Sequence, residues 1–203
     1  MAGAGAGHLI EYLLAQGARV WGIEQAPALA DRANKHLHGR PGFMGVSVPS
    51  ENRWQLPSRS VDVVFATEVI EHLGDTELDA FFTETHRILR HGGTVIISTP
   101  HNEDLDGSAI VCPACGCLFH PMQHVRSWTT STISEYALSH GIAPVASLVT
   151  ALPVVGGISR LGRLKNHLLS FTLPAESNLL FAGKVPDGDA GQSRGVRVAS
   201  RSL

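Results

Sequence analysis

Two carboxylates and an imidazole in one short stretch are the residues whose types and spacing best suit chemistry. Glu68, Glu71 and His72 are spaced i, i+3 and i+4, so a helical turn here puts all three side chains on one side. Carboxylates that converge on one point repel each other unless a proton or a cation joins them. Hard divalent ions prefer such oxygen-rich sites, and Mn²⁺ also accepts imidazole. The spacing therefore predicts a catalytic or ion-binding group.

A second pattern lies at the start of the sequence. Gly3, Gly5 and Gly7 precede an amphipathic helix, and Glu24 closes the next predicted strand. Glycines at this spacing let a backbone turn pass close to a ligand at a helix N-terminus. An acidic residue at the end of the following strand suits the two hydroxyls of a ribose. Together they predict a site for a nucleoside-type cofactor, although the glycines alone are also typical of a flexible linker.

All three cysteines fall between Cys112 and Cys117. Cys112, Cys115 and the following glycine have the Cys-x-x-Cys-Gly pattern of zinc knuckles, and tetrahedral Zn²⁺ needs four donors. Cys112, Cys115, Cys117 and His120 supply one such set, and an alternative set replaces Cys117 or His120 with His124. A loop without metal, carrying three incidental thiols, is the other interpretation. Clustered cysteines do not form a disulfide framework, so a reducing compartment, by default the cytoplasm, is expected.

The elements that must position these groups alternate between strands and helices. Strands are predicted at 18–24, 43–48, 61–66, 94–98, 143–149 and 178–185, and helices at 8–16, 27–37, 75–90 and 132–140. Gly92 and Gly93 are expected to end the third helix, and Thr132-x-x-Glu135 to open the fourth as a capping box. This alternation predicts an α/β fold with a mostly parallel sheet and helices on both faces.

Length and charge bound the organisation and the partners. The 203 residues fit one domain over 1–186, with a Cys/His-rich insertion at about 101–128 and a disordered tail at 187–203. A net charge of −2 predicts no general affinity for nucleic acid or anionic membranes. No apolar run reaches the length of a membrane span, and no secretory signal is visible.

The ordered segments resemble class I S-adenosylmethionine-dependent methyltransferases. The G-x-G-x-G pattern is similar to their motif I, whereas the dinucleotide fingerprint would need a glycine where His8 or Ile10 stands. Further matching segments follow in the family's order at 56–57, 61–64, 68–73, 87–93 and 98–100. The resemblance implies a Rossmann-like sheet and S-adenosylmethionine as cofactor. It also implies that the three glycines approach the methionine part of the cofactor, and that Glu24 binds its ribose.

The Glu-x-x-Glu-His stretch resembles two groups within that class, the ubiquinone-biosynthesis O-methyltransferases and the small-RNA 3′-terminal 2′-O-methyltransferases. The RNA enzymes add a histidine after the fifth strand, and His124 occupies the matching place. The resemblance implies that Glu68, Glu71, His72 and His124 hold Mg²⁺ or Mn²⁺, which would bind a substrate hydroxyl. Many methyltransferases carry a similar stretch merely as a strand-to-helix connection, with Glu68 against the cofactor or substrate.

One departure from the family pattern concerns the start of the sheet. The family has a hydrophobic strand before the glycines, where this sequence has Met1 and Ala2, so the first strand is expected to be missing. The expected function is O-methylation of a small-molecule or sugar hydroxyl, with or without the assistance of a divalent metal. The alternative is a non-catalytic or N-terminally truncated methyltransferase-like protein with a zinc-knuckle interaction loop. The acidic balance disfavours RNA as the substrate.

Overall fold

The computed structural model describes residues 1–150 and 177–187. The elements in chain order are α1 (His8–Ala15), β1 (Val20–Ile23), α2 (Pro27–Leu37), β2 (Phe43–Ser47), β3 (Val61–Thr67), α3 (Asp75–Ile88), β4 (Leu89–Pro100), β5 (Ile110–Val111), β6 (Leu118–Phe119), α4 (Thr130–Ser139), β7 (Ala143–Thr150) and β8 (Asn178–Lys184). Every predicted helix and strand is present, and α2 has the predicted bounds. Of the predicted tail, all but Asp187 lies outside the described residues.

Six of the described strands form a mixed sheet with parallel pairs at its centre, and β5 and β6 form a separate antiparallel hairpin. β1 pairs with β2 in parallel, and β3 pairs with β4 in parallel. β8 lies antiparallel between β4 and β7. A parallel strand ends at the edge where the loops that follow it gather, and open α/β sheets bind ligands at that edge. The predicted α/β class is confirmed.

Met1 and Ala2 join the two halves of the sheet. Ala2 forms parallel bridges to Ile23 of β1 and Ala66 of β3, and its amide donates to the carbonyl of Phe65 at 2.8 Å. These two residues occupy the place of the strand that the resemblance led us to expect as missing. The rest of the gap between β1 and β3 is a cavity of about 350 Å³. Because the glycine loop starts immediately after Ala2, it emerges at the ligand-binding edge of both strands.

The pair Gly92–Gly93 differs from its predicted role. Both residues lie inside β4, which begins directly after α3 ends at Ile88. The β3–β4 register shifts at this point, and a Cβ on Gly93 would stand 2.8 Å from the carbonyl oxygen of Arg90. The glycines therefore accommodate a β-irregularity rather than stop a helix.

The N-terminus of α4 also differs from the prediction. The capping residue is Thr129, whose hydroxyl accepts from the amide of Thr132 at 3.2 Å, while the Thr132 hydroxyl accepts from the amide of Thr129 at 2.9 Å. Glu135 takes no part in this box. The earlier threonine is used because the preceding Trp128 is buried and bridges to His101 after β4, which brings the chain to the helix at that residue.

The apolar side chains form two core clusters. The larger one holds residues of α3, α4, β3, β4 and β8 with Ile23 of β1, and the smaller one holds residues of α1, α2, β1 and β2. Both clusters reach the central gap through small side chains, Ala2 in the larger and Ala4 in the smaller. Within the described ranges, no helix combines the length and apolar character that crossing a membrane requires.

Candidate active site

The glycine loop adopts a backbone that only glycine takes readily. Gly3, Gly5 and Gly7 have φ angles of 65°, 51° and 94°, all in the left-handed region. A Cβ on Gly3 would lie 2.4 Å from a methyl of Val69, and one on Gly7 would lie 2.9 Å from Leu37. A Cβ on Gly5 would meet nothing within 4 Å. Gly3 and Gly7 therefore permit close packing, and Gly5 leaves room for a ligand.

Glu24 is hydrogen-bonded to the glycine loop. Its carboxylate accepts hydrogen bonds from the amide of Gly5 at 2.7 Å and from the amide of Ala26 at 3.0 Å. These two bonds fix the carboxylate at the end of β1, between the glycine loop and α2. Each oxygen has further lone pairs, so the group can still accept from the hydroxyls of a ligand.

A cavity of about 340 Å³ connects the glycine loop with the predicted catalytic residues. Its wall includes Gly3, Gly5, Glu24, Trp54, Glu68, His72 and Phe81. All of the predicted cofactor residues except Gly7, and two of the three predicted catalytic residues, thus face one space. Gly7 and Glu71 do not line it: Gly7 packs against Leu37, and Glu71 is buried behind it.

Glu68 sits in strained backbone at the end of β3. Its φ is 53°, an uncommon value for a residue with a side chain. Its amide donates to the carbonyl of Ser98 at 2.9 Å, and its carboxylate accepts from the Ser98 hydroxyl at 2.6 Å. These bonds to the end of β4 hold the conformation in place and orient Glu68 at the cavity wall.

Glu71 is the most unusual ionisable group of the described residues. Its side chain is 1% exposed, and burial raises its pKa to about 7. One carboxylate oxygen, Oε2, accepts from the hydroxyl of Thr99 at 3.0 Å. The other, Oε1, has no hydrogen-bond partner among the described residues. A buried acceptor without a partner calls for a proton, a water or an ion.

Two histidines meet Glu71 at this point. One ligand atom each from Glu71, His72 and His124 lie within 4.8 Å of one another. The Nε2 atom of His72 is 3.8 Å from Glu71 Oε1. The amide of Val125, the residue after His124, donates to the Glu71 carbonyl at 2.9 Å and so holds the His124 segment against Glu71. The structure therefore brings three of the four predicted Mg²⁺ or Mn²⁺ ligands together. Glu68 is not in this group, because it is turned to Ser98.

Glu103 is a residue that the sequence did not single out. Its carboxylate lies 2.6 Å from Nδ1 of His124 and 3.3 Å from Nε2 of His120. The two histidine rings stack with centroids 4.6 Å apart. The available signal was weak: an acidic residue soon after a strand, in a polar loop where acids are common. Only the folded loop shows that it stands behind His124.

The three cysteines share the turn of the β5–β6 hairpin. The amide of Cys112 donates to the carbonyl of Cys117 at 2.8 Å, and hydrogen bonds from Cys117 and Cys112 lower the pKa of the Cys115 thiol. The fourth proposed zinc ligand, His120, is turned to Glu103 and His124 instead. Zinc at this turn stays a prediction.

The chain matches known proteins over its N-terminal half. Residues 1–97 match the family model described as a methyltransferase domain. A ubiquinone biosynthesis O-methyltransferase from Bradyrhizobium sp. (strain ORS 278) is 33% identical over 98 residues, which is 48% of this chain and 37% of that protein. A probable S-adenosylmethionine-dependent methyltransferase from Mycolicibacterium smegmatis is 34% identical over 102 residues, 49% of this chain and 37% of that protein. The matched segment is thus little more than a third of the length of these relatives.

Solved structures share the fold. An S-adenosylmethionine-dependent methyltransferase from Methanosarcina mazei has a TM-score of 0.66 at 13% identity and covers 92% of this chain and 91% of its own. A Burkholderia thailandensis 1,6-didemethyltoxoflavin-N1-methyltransferase, solved with S-adenosylhomocysteine, has a TM-score of 0.61 at 18% identity and covers 92% of this chain and 69% of its own. A glycine loop and an acidic strand end over one cavity suit a nucleoside-type cofactor. With the match of residues 1–97 to the methyltransferase domain family, the chain is similar to class I S-adenosylmethionine-dependent methyltransferases.

Proposed function

We propose that the protein transfers the methyl group of S-adenosylmethionine to a hydroxyl oxygen of a small molecule or sugar. The observation that carries the proposal is the single cavity of about 340 Å³ that joins Gly5 and Glu24 to Glu68 and His72. Methyl transfer requires the cofactor and the acceptor oxygen to meet in line, away from water. The name of the Bradyrhizobium relative, an O-methyltransferase, supports oxygen as the acceptor atom.

The cofactor occupies the glycine side of the cavity in this proposal. Gly3, Gly5 and Gly7 give the backbone its close approach to the methionine part, and Glu24 accepts hydrogen bonds from the two ribose hydroxyls. The exposed side chain of Glu68 stands between this region and His72, where it can contact the cofactor or the acceptor.

The acceptor hydroxyl loses its proton on the other side of the cavity. Glu71 has a pKa of about 7, which suits a general base at neutral pH. His72 lines the cavity, and its Nε2 lies 3.8 Å from Oε1 of the buried Glu71. Glu71, His72 and His124 also fit Mg²⁺ or Mn²⁺, since Oε1 of Glu71 lacks a partner. When bound, such an ion would lower the pKa of a coordinated hydroxyl.

Charge and composition support a small substrate in the cytoplasm. The net charge of −2 gives no general electrostatic attraction for nucleic acid, and the clustered cysteines suit a reducing compartment.

The proposal is tested by transfer of a labelled methyl group from S-adenosylmethionine to a panel of phenols, catechols, sugars and amines. We expect label on hydroxyl acceptors, and a loss of at least about tenfold in rate for His72→Gln and Glu71→Gln. Asp106→Asn, an exposed change in the same region, serves as control and should transfer like the wild type. Label on amines alone would contradict the proposal.

A second function has one observation in its favour. The β5–β6 hairpin exposes Ile110, Val111, Leu118 and Phe119 beside the cysteines, each at 42% or more. Exposed apolar side chains on one hairpin are typical of an interaction surface. In this alternative, zinc held by Cys112, Cys115 and Cys117 with His120 or another fourth ligand stiffens an interaction loop of a non-catalytic protein. Zinc analysis of the wild type and of Cys112→Ser decides it: equal zinc in both, or none in either, would contradict the zinc loop.

A further inference from the structure

We propose that Glu103 is a positioning residue that fixes the tautomers of His120 and His124 and so turns a bare ring nitrogen of His124 toward Glu71. The proposal rests on the function proposed above, because it concerns the ligand cluster of Glu71, His72 and His124. It adds Glu103, a residue that touches neither cavity wall nor cofactor loop and acts through His124.

The hydrogen bonds around Glu103 determine where the protons lie. An ionised carboxylate only accepts, so His124 Nδ1, at 2.6 Å, donates a proton to it. The amide of His124 donates to His120 Nδ1 at 3.3 Å, which requires that nitrogen to be bare. The single proton of a neutral His120 ring therefore lies on Nε2, which is 3.3 Å from the Glu103 carboxylate. A neutral imidazole carries one proton, so Nε2 of His124 is also bare.

His72 is set in the same way by the neighbouring backbone. Its Nδ1 lies 3.4 Å from the carbonyl oxygen of Gln123, which only accepts, so Nδ1 carries the proton and Nε2 is bare. Gln123 takes a left-handed φ of 60°, and its amide donates to the carbonyl of His120 at 2.8 Å. The strained residue thus directs its carbonyl at His72. Its Nε2 faces Glu71 Oε1 at 3.8 Å.

These proton positions leave acceptor atoms of Glu71, His72 and His124 close together with no donor or cation from the described part of the chain between them. Oε1 of Glu71 has no hydrogen-bond partner among the described residues, and His72 and His124 each contribute one ring nitrogen to the same cluster. Ligating histidines commonly donate their other ring proton to a carboxylate or a backbone carbonyl, which orients the ring. Glu103 and the Gln123 carbonyl stand in those two places. Two imidazoles with one carboxylate favour Mn²⁺ over Mg²⁺.

Glu103, His120 and His124 also lie close enough together to be ion ligands themselves. An ion there would displace both ring protons, and the proton left on His120 Nδ1 would oppose the amide of His124. Within this trio, His124 Nδ1 already donates to Glu103 and His120 Nδ1 already accepts from the amide of His124, whereas Oε1 of Glu71 has no partner among the described residues. The geometry therefore places Glu103 behind the ligand cluster and not in it.

Tautomers test the proposal directly. In the full chain labelled with ¹⁵N-histidine, at pH 8 with chelator, long-range ¹H–¹⁵N spectra should show His124 protonated on Nδ1 and His120 on Nε2. In Glu103→Gln the side-chain NH₂ is a donor, so at least one ring should change tautomer. Asp106→Asn should leave both spectra unchanged. His124 protonated on Nε2 in the wild type would overturn the proposal.

Mn²⁺ affinity, measured by electron paramagnetic resonance, gives the second readout. Glu103→Gln should bind Mn²⁺ about 10- to 100-fold more weakly, while His120→Gln, which keeps the Glu103–His124 bond, should stay within about threefold. Equal affinities of Glu103→Gln and the wild type would overturn the proposal, as would equal losses in both variants. Circular dichroism confirms that each variant is folded. Titration with S-adenosylhomocysteine tests the proposed function separately, because it reports on the glycine loop and not on Glu103.

Discussion

At the scale of single residues, the site depends on carboxylates whose surroundings differ. Glu71 is buried with a raised pKa, whereas Glu24 is half-buried and held by two amides. Two glutamate side chains thus differ in how readily they bind a proton, because their surroundings differ. Glu24 suits a fixed acceptor for a ribose, and Glu71 suits a group that takes up a proton or an ion.

Glu71 makes the metal-free protein less stable as the pH rises. Its pKa is 4.5 in the unfolded chain and about 7 in the folded one, so the folded state binds more protons between these values. The stabilisation is present below pH 4.5 and is lost as the pH rises through 7, by about 3 kcal/mol. Glu71→Gln cannot ionise. In urea unfolding with chelator, the free energy of unfolding of this variant should therefore rise relative to that of the wild type by about that amount between pH 4.5 and 8.

The exposed substitution Asp106→Asn is the control for the pH series and should follow the wild type. Parallel pH profiles for the wild type and Glu71→Gln would show that Glu71 titrates normally in the folded protein. Saturating Mn²⁺ should shrink the difference, because the ion favours the ionised carboxylate.

The sequence revealed the ligand types but only part of their geometry. The i, i+3, i+4 spacing of Glu68, Glu71 and His72 predicted one common direction, and Glu71 and His72 do meet. Glu68 departs because its left-handed φ and its bonds to Ser98 turn it to the end of β4. Such a conformation is set by tertiary contacts. It leaves no trace in local spacing.

At the scale of elements, an ion pair between the buried Glu84 and the partly exposed Arg87 holds the loop after β2 beside the cavity. Arg87 of α3 donates to the Glu84 carboxylate at 2.7 and 2.6 Å, and to the carbonyls of Trp54 and Leu56. The amide of Trp54 donates to Glu84 at 2.8 Å. Burial raises the pKa of Glu84, but the bonds from Arg87 and Trp54 outweigh it and lower the pKa overall. Because Trp54 lines the cavity, this pair links α3 to the site.

Arg87→Ala should destabilise the protein by about 3 kcal/mol or more, since it leaves the buried carboxylate of Glu84 without its partner. Arg90→Ala is the matched control. Its ion pair with Asp62 is exposed, with 53% and 77% of the two side chains accessible, so the loss should stay below about 1 kcal/mol. Urea denaturation measures both. Equal losses in the two variants would contradict the assigned role of the Glu84–Arg87 pair.

The turn into α1 requires glycine at position 7. Gly7→Ala should destabilise through both its φ of 94° and the contact of the new Cβ with Leu37 at 2.9 Å. Gly39→Ala isolates the first effect, because φ is 77° there and nothing lies within 4 Å. We expect about 1–2 kcal/mol for Gly39→Ala and a larger loss for Gly7→Ala, measured by thermal unfolding. A loss at Gly7 no larger than at Gly39 would show that Leu37 moves aside.

At the scale of the whole molecule, the order of strands and helices was the most predictable feature. Apolar runs and turn residues identify elements locally, and their alternation implies a parallel α/β sheet. The sequence did not predict that Met1 and Ala2 bridge β1 and β3, nor that Gly92 and Gly93 lie inside β4. Both depend on pairing between distant segments, which periodicity does not record.

The central claim is that the glycine loop and Glu24 bind the nucleoside cofactor of a methyltransferase. Isothermal titration with S-adenosylhomocysteine tests it most directly, on the wild type, on Glu24→Gln and on the control Glu11→Gln, a half-buried glutamate that does not line the cavity. We predict saturable binding to the wild type and the control, and binding about 10- to 100-fold weaker to Glu24→Gln, which loses a charged hydrogen-bond acceptor. Absence of binding by the wild type, or equal binding by all three proteins, would contradict the claim.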